Sequence, residues 1–206
     1  MLAKNGYRTA STGKGWGPGL LVDRKVNPAG LPYNMVTHDP YKESYGKPAM
    51  SEINYAANFE SFLKTTDQDQ PFCFWLGTFE PHRGYAQGLA ASLGKNCNQV
   101  TVPDFMPDTK EVREDLCEYY AEIEHIDQQV GALMEVLARQ GELENTLILI
   151  TSDNGMPFPR TKATLYDYGT HMPLIAWWGN KIKGGHCIRI PVEERHLQEQ
   201  SEPMII

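Results

Sequence analysis

The residues able to do chemistry on a polar or anionic substrate stand in segments without regular hydrophobic pattern. Asp153 and Asn154, in Ser152-Asp153-Asn154-Gly155, set a carboxylate beside an amide oxygen, the hard donors that Ca²⁺ and Mg²⁺ take. The same four residues also read as a type I′ turn between antiparallel strands. The continuation MPFPRTK, with its prolines and no strand alternation, favours the ligand reading. His82, in Pro81-His82-Arg83, can move a proton near neutral pH and bind an oxyanion when charged, or it is a loop histidine without a role. Lys14 sits in the glycine-rich run Gly13 to Gly19, which resembles a phosphate loop. That run fails both standard patterns, because Arg8 and Gly15 stand where a Walker A loop needs Gly and Ser or Thr, and Leu20 stands where the dinucleotide fingerprint needs a small residue. What remains is a lysine able to meet an anion as a point charge, and Lys162 is a second. The bland reading of either is a solvated side chain.

Elements able to position these residues alternate along the chain. Phe72 to Thr78 and Thr146 to Ser152 are short, nearly continuous apolar runs, the pattern of strands buried on both faces of a parallel sheet, and Pro173 to Trp178 is a third. From Arg113 to Leu143, apolar residues including Leu116, Ile123, Val130 and Leu137 recur every three to four positions and predict an amphipathic helix with His125 on its solvated face. Ser51 to Lys64 predicts a shorter helix with Ser51 as its N-cap. The class is therefore α/β. Long irregular stretches, Lys14 to Met50, Phe79 to Val112 and Asn154 to Met172, each follow a candidate strand. In open α/β sheets, ligands bind beyond the carboxyl ends of the strands, so the site is expected on that rim. Asn5-Gly6 reads as a helix stop with too few residues before it to make a helix body, so the chain reads as part of a fold that begins earlier.

Composition excludes several classes. The chain has 206 residues, a formal net charge of -7 and no Lys/Arg cluster longer than a pair, which argues against nucleic acid as a partner. Its apolar runs are too short to span a membrane, and the first residues lack the apolar centre of a secretory signal. Cys73, Cys97, Cys117 and Cys187 are scattered without a C-x-x-C pair and read as free structural thiols.

Taken in order, GYRTASTGK, FCFWLGTFEPHR, TLILITSDNG and MPFPRTKATLYDYGTHMPLI resemble motifs of the sulfatase family of the alkaline phosphatase superfamily, nearest its heparan N-sulfatase branch, from about Gly6 to Gly185. The resemblance implies a partial alkaline-phosphatase-like sandwich, its mostly parallel central sheet flanked by helices. It implies hydrolysis of a sulfate ester or sulfamate on a sulfated saccharide by a formylglycine hydrate. Carried over by position, Asp153 and Asn154 match half of a calcium site, Lys14 and Lys162 match lysines on the sulfate, and His82 matches the histidine on the leaving-group side. Such chemistry asks for positioning and for cations around the sulfate oxygens.

Departures are equally visible. No cysteine here is followed by x-Pro/Ser-x-Arg, the segment that yields formylglycine, and the amino-terminal acidic calcium ligands are absent. Asp153 and Asn154 alone would bind Ca²⁺ weakly. Trp16 stands where the family commonly has histidine, and His171 where it commonly has arginine. The expected organisation is residues 1–186 as the central part of a sulfatase catalytic domain, inactive alone, and 187–206 as an atypical tail. The alternatives are a non-catalytic relic that binds sulfated glycans weakly, and a phosphoester hydrolase of the same superfamily. Complete relatives are periplasmic, lysosomal or secreted, which is the localisation the resemblance implies.

Overall fold

A computed structural model describes residues 1–15, 29–38, 50–67 and 69–186. Trp16 and the tail 187–206 lie outside the described residues. The central strand β1 (Arg8–Gly13) runs parallel to β2 (Leu31–Pro32) on one side and to β3 (Phe72–Gly77) on the other. The register pairs Arg8 with Phe72 and Gly13 with Gly77, so β1 and β3 end side by side. Ala10, Ser11 and Thr12 are buried, and their small side chains suit a strand that is covered on both faces.

Strand β3 is one-sided. Phe72 and Phe74 point at the first helix, α1 (Tyr55–Lys64), where Phe59 and Phe62 lie 4.9 and 5.0 Å from Phe74 between ring centroids. Cys73 and Trp75, on the opposite face, are exposed. Beyond α1, the long helix α3 (Lys110–Gln140) closes the core with Leu133, Val136 and Leu137. Fully burying a side chain such as Phe62 or Leu137 stabilises by roughly 1.5–3 kcal/mol. A single turn, α2 (Leu89–Ser92), packs against the first half of α3.

Several expectations are corrected. The N-cap of α1 is Asn54, whose side chain accepts from Ala57 N–H at 2.9 Å. Ser51 lies in the extended segment that precedes it and donates its backbone N–H to Glu80. Helix α3 is capped by Thr109 and ended by Gly141 in a left-handed conformation, so it starts and stops earlier than the apolar pattern suggested. His125 is buried, not solvated. With Glu118, Glu122 and Gln129 it forms a polar stripe on the face of α3 that turns inward, while the apolar Ile123 is exposed. Cys97 and Cys117 are joined in a disulfide between the segment before α3 and α3 itself; Cys73 is free and Cys187 lies outside the described residues.

The remaining strands, β4 (Ile148–Thr151) and β5 (Leu174–Trp177), pair antiparallel as a separate two-stranded sheet. Burial alternates along β4, and Leu149, Leu174 and Ile175 are exposed, so this pair is not covered on both faces among the described residues. The last short helix, α4 (Asp167–Thr170), precedes β5. No helix among the described residues is long and apolar enough to cross a membrane.

Candidate functional site

Lys14 is the first residue beyond β1. The paired ends of β1 and β3 approach so closely that a methyl group on Gly13 would strike the Gly77 carbonyl, and Lys14 donates its N–H to that same oxygen. The Lys14 carbonyl accepts from Trp75 Nε1 at 3.1 Å, which fixes where the exposed side chain leaves the sheet. Its ammonium lies 5.7 Å from the centre of the Phe79 ring, on the loop after β3.

That loop carries His82, whose backbone N–H donates to the Phe79 carbonyl at 3.0 Å. The imidazole is exposed, with Nδ1 3.0 Å from the Arg83 carbonyl oxygen. A buried acid supports the loop from behind. Glu80 accepts from Ser51 N–H at 2.6 Å and from the Tyr55 hydroxyl at 2.7 Å, and Tyr55 in turn accepts from Phe79 N–H. Burial, reinforced by the Glu80 charge, raises the Tyr55 pKa, so the phenol remains a donor. Below it, burial and the neighbouring Glu80 and Glu118 carboxylates push Glu122 up to about 8. Burial depresses His125, while Glu80 opposes that shift.

Asp153 and Asn154 follow β4. Asp153 is exposed and Asn154 half-buried. The turn reading fails, because neither Asn154 nor Gly155 has positive φ, which a type I′ turn needs at both central positions. Moreover, β4 and β5 are connected through the whole of 152–173 rather than by a tight hairpin. Gly155 is a packing glycine, since a methyl there would meet the Tyr168 carbonyl. The Asp153-Asn154 pair therefore sits on an irregular loop beyond a strand end. Lys162, also exposed, is tied back to this loop by its N–H to the Met156 carbonyl at 3.2 Å.

Arg83, a residue whose role the sequence did not reveal, joins the two halves of the rim. Its guanidinium is bidentate to Asp115 on α3 at 2.6 and 3.0 Å, and its Nε donates to the Pro157 carbonyl at 2.9 Å. It also stacks 4.6 Å from the Phe158 ring centre. The His82 loop and the Asp153–Lys162 loop are thus laced together next to the end of β1. Among the described residues, no hydrogen bond or ion pair joins the side chains of Lys14, His82, Asp153, Asn154 and Lys162 to one another. His171 Nδ1 lies 3.4 Å from the Asp167 carboxylate, four residues before it. The only sequence signals for Arg83 and Glu80 were their places beside Pro81-His82.

Lys14 and the His82 loop thus stand beyond the ends of β1 and β3, and Asp153, Asn154 and Lys162 on the loop after β4, which Arg83 joins to the His82 loop. Among the described residues, no group of three or more His, Cys, Asp or Glu could hold a metal ion.

A family model described as Sulfatase matches residues 1–202. The chain is 34% identical to human N-sulphoglucosamine sulphohydrolase over 138 residues, covering 55% of this chain and 27% of that protein. It is 39% identical over 85 residues to an ulvan-active sulfatase from Formosa agariphila, covering 41% of this chain and 14% of that protein. A solved structure from work on glycosaminoglycan metabolism by Bacteroides thetaiotaomicron superposes with a TM-score of 0.58 at 19% identity, covering 88% of this chain and 47% of the other. A second, of Ps i-CgsB with a neocarrahexaose, gives 0.57 at 20% identity over 87% of this chain and 46% of the other. The chain thus spans a minor part of the length of these proteins.

Proposed function

The chain belongs to the sulfatase family, and from that premise we propose that it forms the sulfate-binding part of a hydrolase cleaving a sulfate ester or sulfamate on a sulfated saccharide. The observation that carries this reading is the lacing of the Lys14, His82 and Asp153–Lys162 segments into one rim through Phe79 and Arg83. Lys14 and Lys162 would bind sulfate oxygens and offset the charge that develops on them. His82, exposed and with one ring nitrogen turned to a backbone carbonyl, would present the other to the leaving oxygen or nitrogen and deliver its proton.

Asp153 and Asn154 would hold Ca²⁺, which in this family polarises the sulfate. The donors fit that ion in kind, but two side chains fall short of the six to eight oxygens it takes. None of the four cysteines lies in the family's formylglycine motif. The Cys97–Cys117 disulfide supports an oxidising compartment: periplasm, lysosome or the cell exterior.

The test is calorimetric titration of the chain with an N-sulfated glucosamine disaccharide, its O-sulfated isomer, the unsulfated sugar and the corresponding phosphate ester. Binding is the readout because no cysteine lies in the nucleophile motif. The sulfated sugars should bind, and Lys14→Ala and Lys162→Ala should each weaken them about tenfold, the loss of one charge-assisted contact. Equal binding of the unsulfated sugar would overturn the reading, and tighter binding of the phosphate ester would favour a phosphoester hydrolase instead.

A further inference from the structure

The loop that presents Lys162 is held in a costly conformation. Arg160 and Ala163, on either side of Thr161-Lys162, have φ of 64° and 61°, in the left-handed region that non-glycine residues rarely adopt. Such a conformation is strained and persists only where its surroundings over-determine it. The determining residue here is Thr161, which is fully buried. Its hydroxyl accepts from Phe158 N–H at 3.1 Å and has the Met156 and Phe158 carbonyls within reach of its single proton. Its own carbonyl accepts from both the backbone N–H and the hydroxyl of Thr164, at 3.1 and 2.7 Å. Gly169 closes over that carbonyl and the Thr164 carbonyl, leaving no room for a side chain. Phe158, seated by the same turn, packs under Arg83 and edge-on to Tyr119 at 5.7 Å.

We propose that Thr161 is a positioning residue for sulfate recognition: its buried hydroxyl locks the 156–164 turn so that Lys162 is presented on the rim in a single geometry. The inference rests on the reading of Lys162 as a sulfate contact. A long, flexible lysine on an ordinary loop gives up much of its electrostatic gain to ordering, and a pre-organised turn lowers that cost.

The experiment is a double-mutant cycle on the full chain, read as the dissociation constant for an N-sulfated glucosamine disaccharide. Thr161→Val removes the hydroxyl at nearly constant shape, and Thr161→Ser keeps it. Thr161→Val should weaken binding about tenfold, as Lys162→Ala does, and Thr161→Ser should restore wild-type affinity. In the Lys162→Ala background, Thr161→Val should have no further effect. Thr164→Val removes only the outer lock, which keeps the test open should the buried change unfold the chain; its weakening, about threefold, should also vanish without Lys162. The inference is overturned if Thr161→Val leaves affinity unchanged, or if either threonine variant weakens binding equally with and without Lys162. Failure of Lys162→Ala itself to weaken binding removes the reading of Lys162, and this inference with it.

Discussion

Replacing Glu122 with Gln tests the buried polar layer beneath the His82 loop. Glu122 is 4% exposed on α3, and burial, with Glu80 and Glu118 adding to it, raises its pKa from 4.5 to about 8. A carboxyl whose folded pKa is raised binds a proton in the folded state that it lacks when unfolded. Its contribution to stability is therefore complete below about 4.5 and is lost as pH rises toward about 8. Across that window the loss proceeds at no more than about 1.4 kcal/mol per pH unit, with a ceiling of about 5 kcal/mol. A charged Glu122 would draw in water and reorganise its neighbours, so roughly half of that ceiling is expected. Gln has the shape of the protonated acid and no charge to acquire. Urea unfolding followed by tryptophan fluorescence, at intervals from about pH 5 to pH 8, should show Glu122→Gln gaining on the wild type by about 2–3 kcal/mol across the range. His125, depressed by burial, acts in the opposite sense: its contribution is lost as pH falls below the usual histidine range, in both proteins alike, so it cancels in the difference. A difference that stays constant from about pH 5 to pH 8 would refute the reasoning, because Glu122 would then ionise in the fold as it does in the unfolded chain.

Other outcomes follow from the same contacts. Arg83→Ala should cost about 1–2 kcal/mol in urea unfolding and also weaken the sulfated disaccharide, because it frees the Asp115 carboxylate and unties the two site loops; unchanged affinity would separate the clamp from the site. Leu137→Ala, at a fully buried core position, should lower stability by about 2–5 kcal/mol without altering the ratio of affinities for sulfated and unsulfated sugar. Reduction with dithiothreitol, or Cys97→Ser, should cost about 3 kcal/mol, as expected for closing a loop of 20 residues, and no shift in the urea midpoint on reduction would show that the bridge does not form.

The sequence by itself determined the kinds of element and the order of the candidate residues along the chain. Continuous apolar runs placed β3 and β4, and Pro81-His82 and Asp153-Asn154 fell just beyond their ends, because strand burial and loop irregularity are local properties of the chain. Tertiary structure decided which faces turn inward. His125 and Glu122 look like surface positions by hydropathy, yet they are buried because Glu80 and His38 come to them from distant segments. The antiparallel pairing of β4 with β5 and the bond between Cys97 and Cys117 depend on partners that no local pattern names. Arg83 and Thr161 escaped notice for the same reason. One would ordinarily be a solvated charge and the other a loop hydroxyl, and each gains its role only where the fold supplies Asp115 and Pro157, or the carbonyls of Met156 and Phe158. Hydrogen bonds between segments far apart in sequence are decided by the packing that brings those segments together, which is why these residues became legible only in three dimensions.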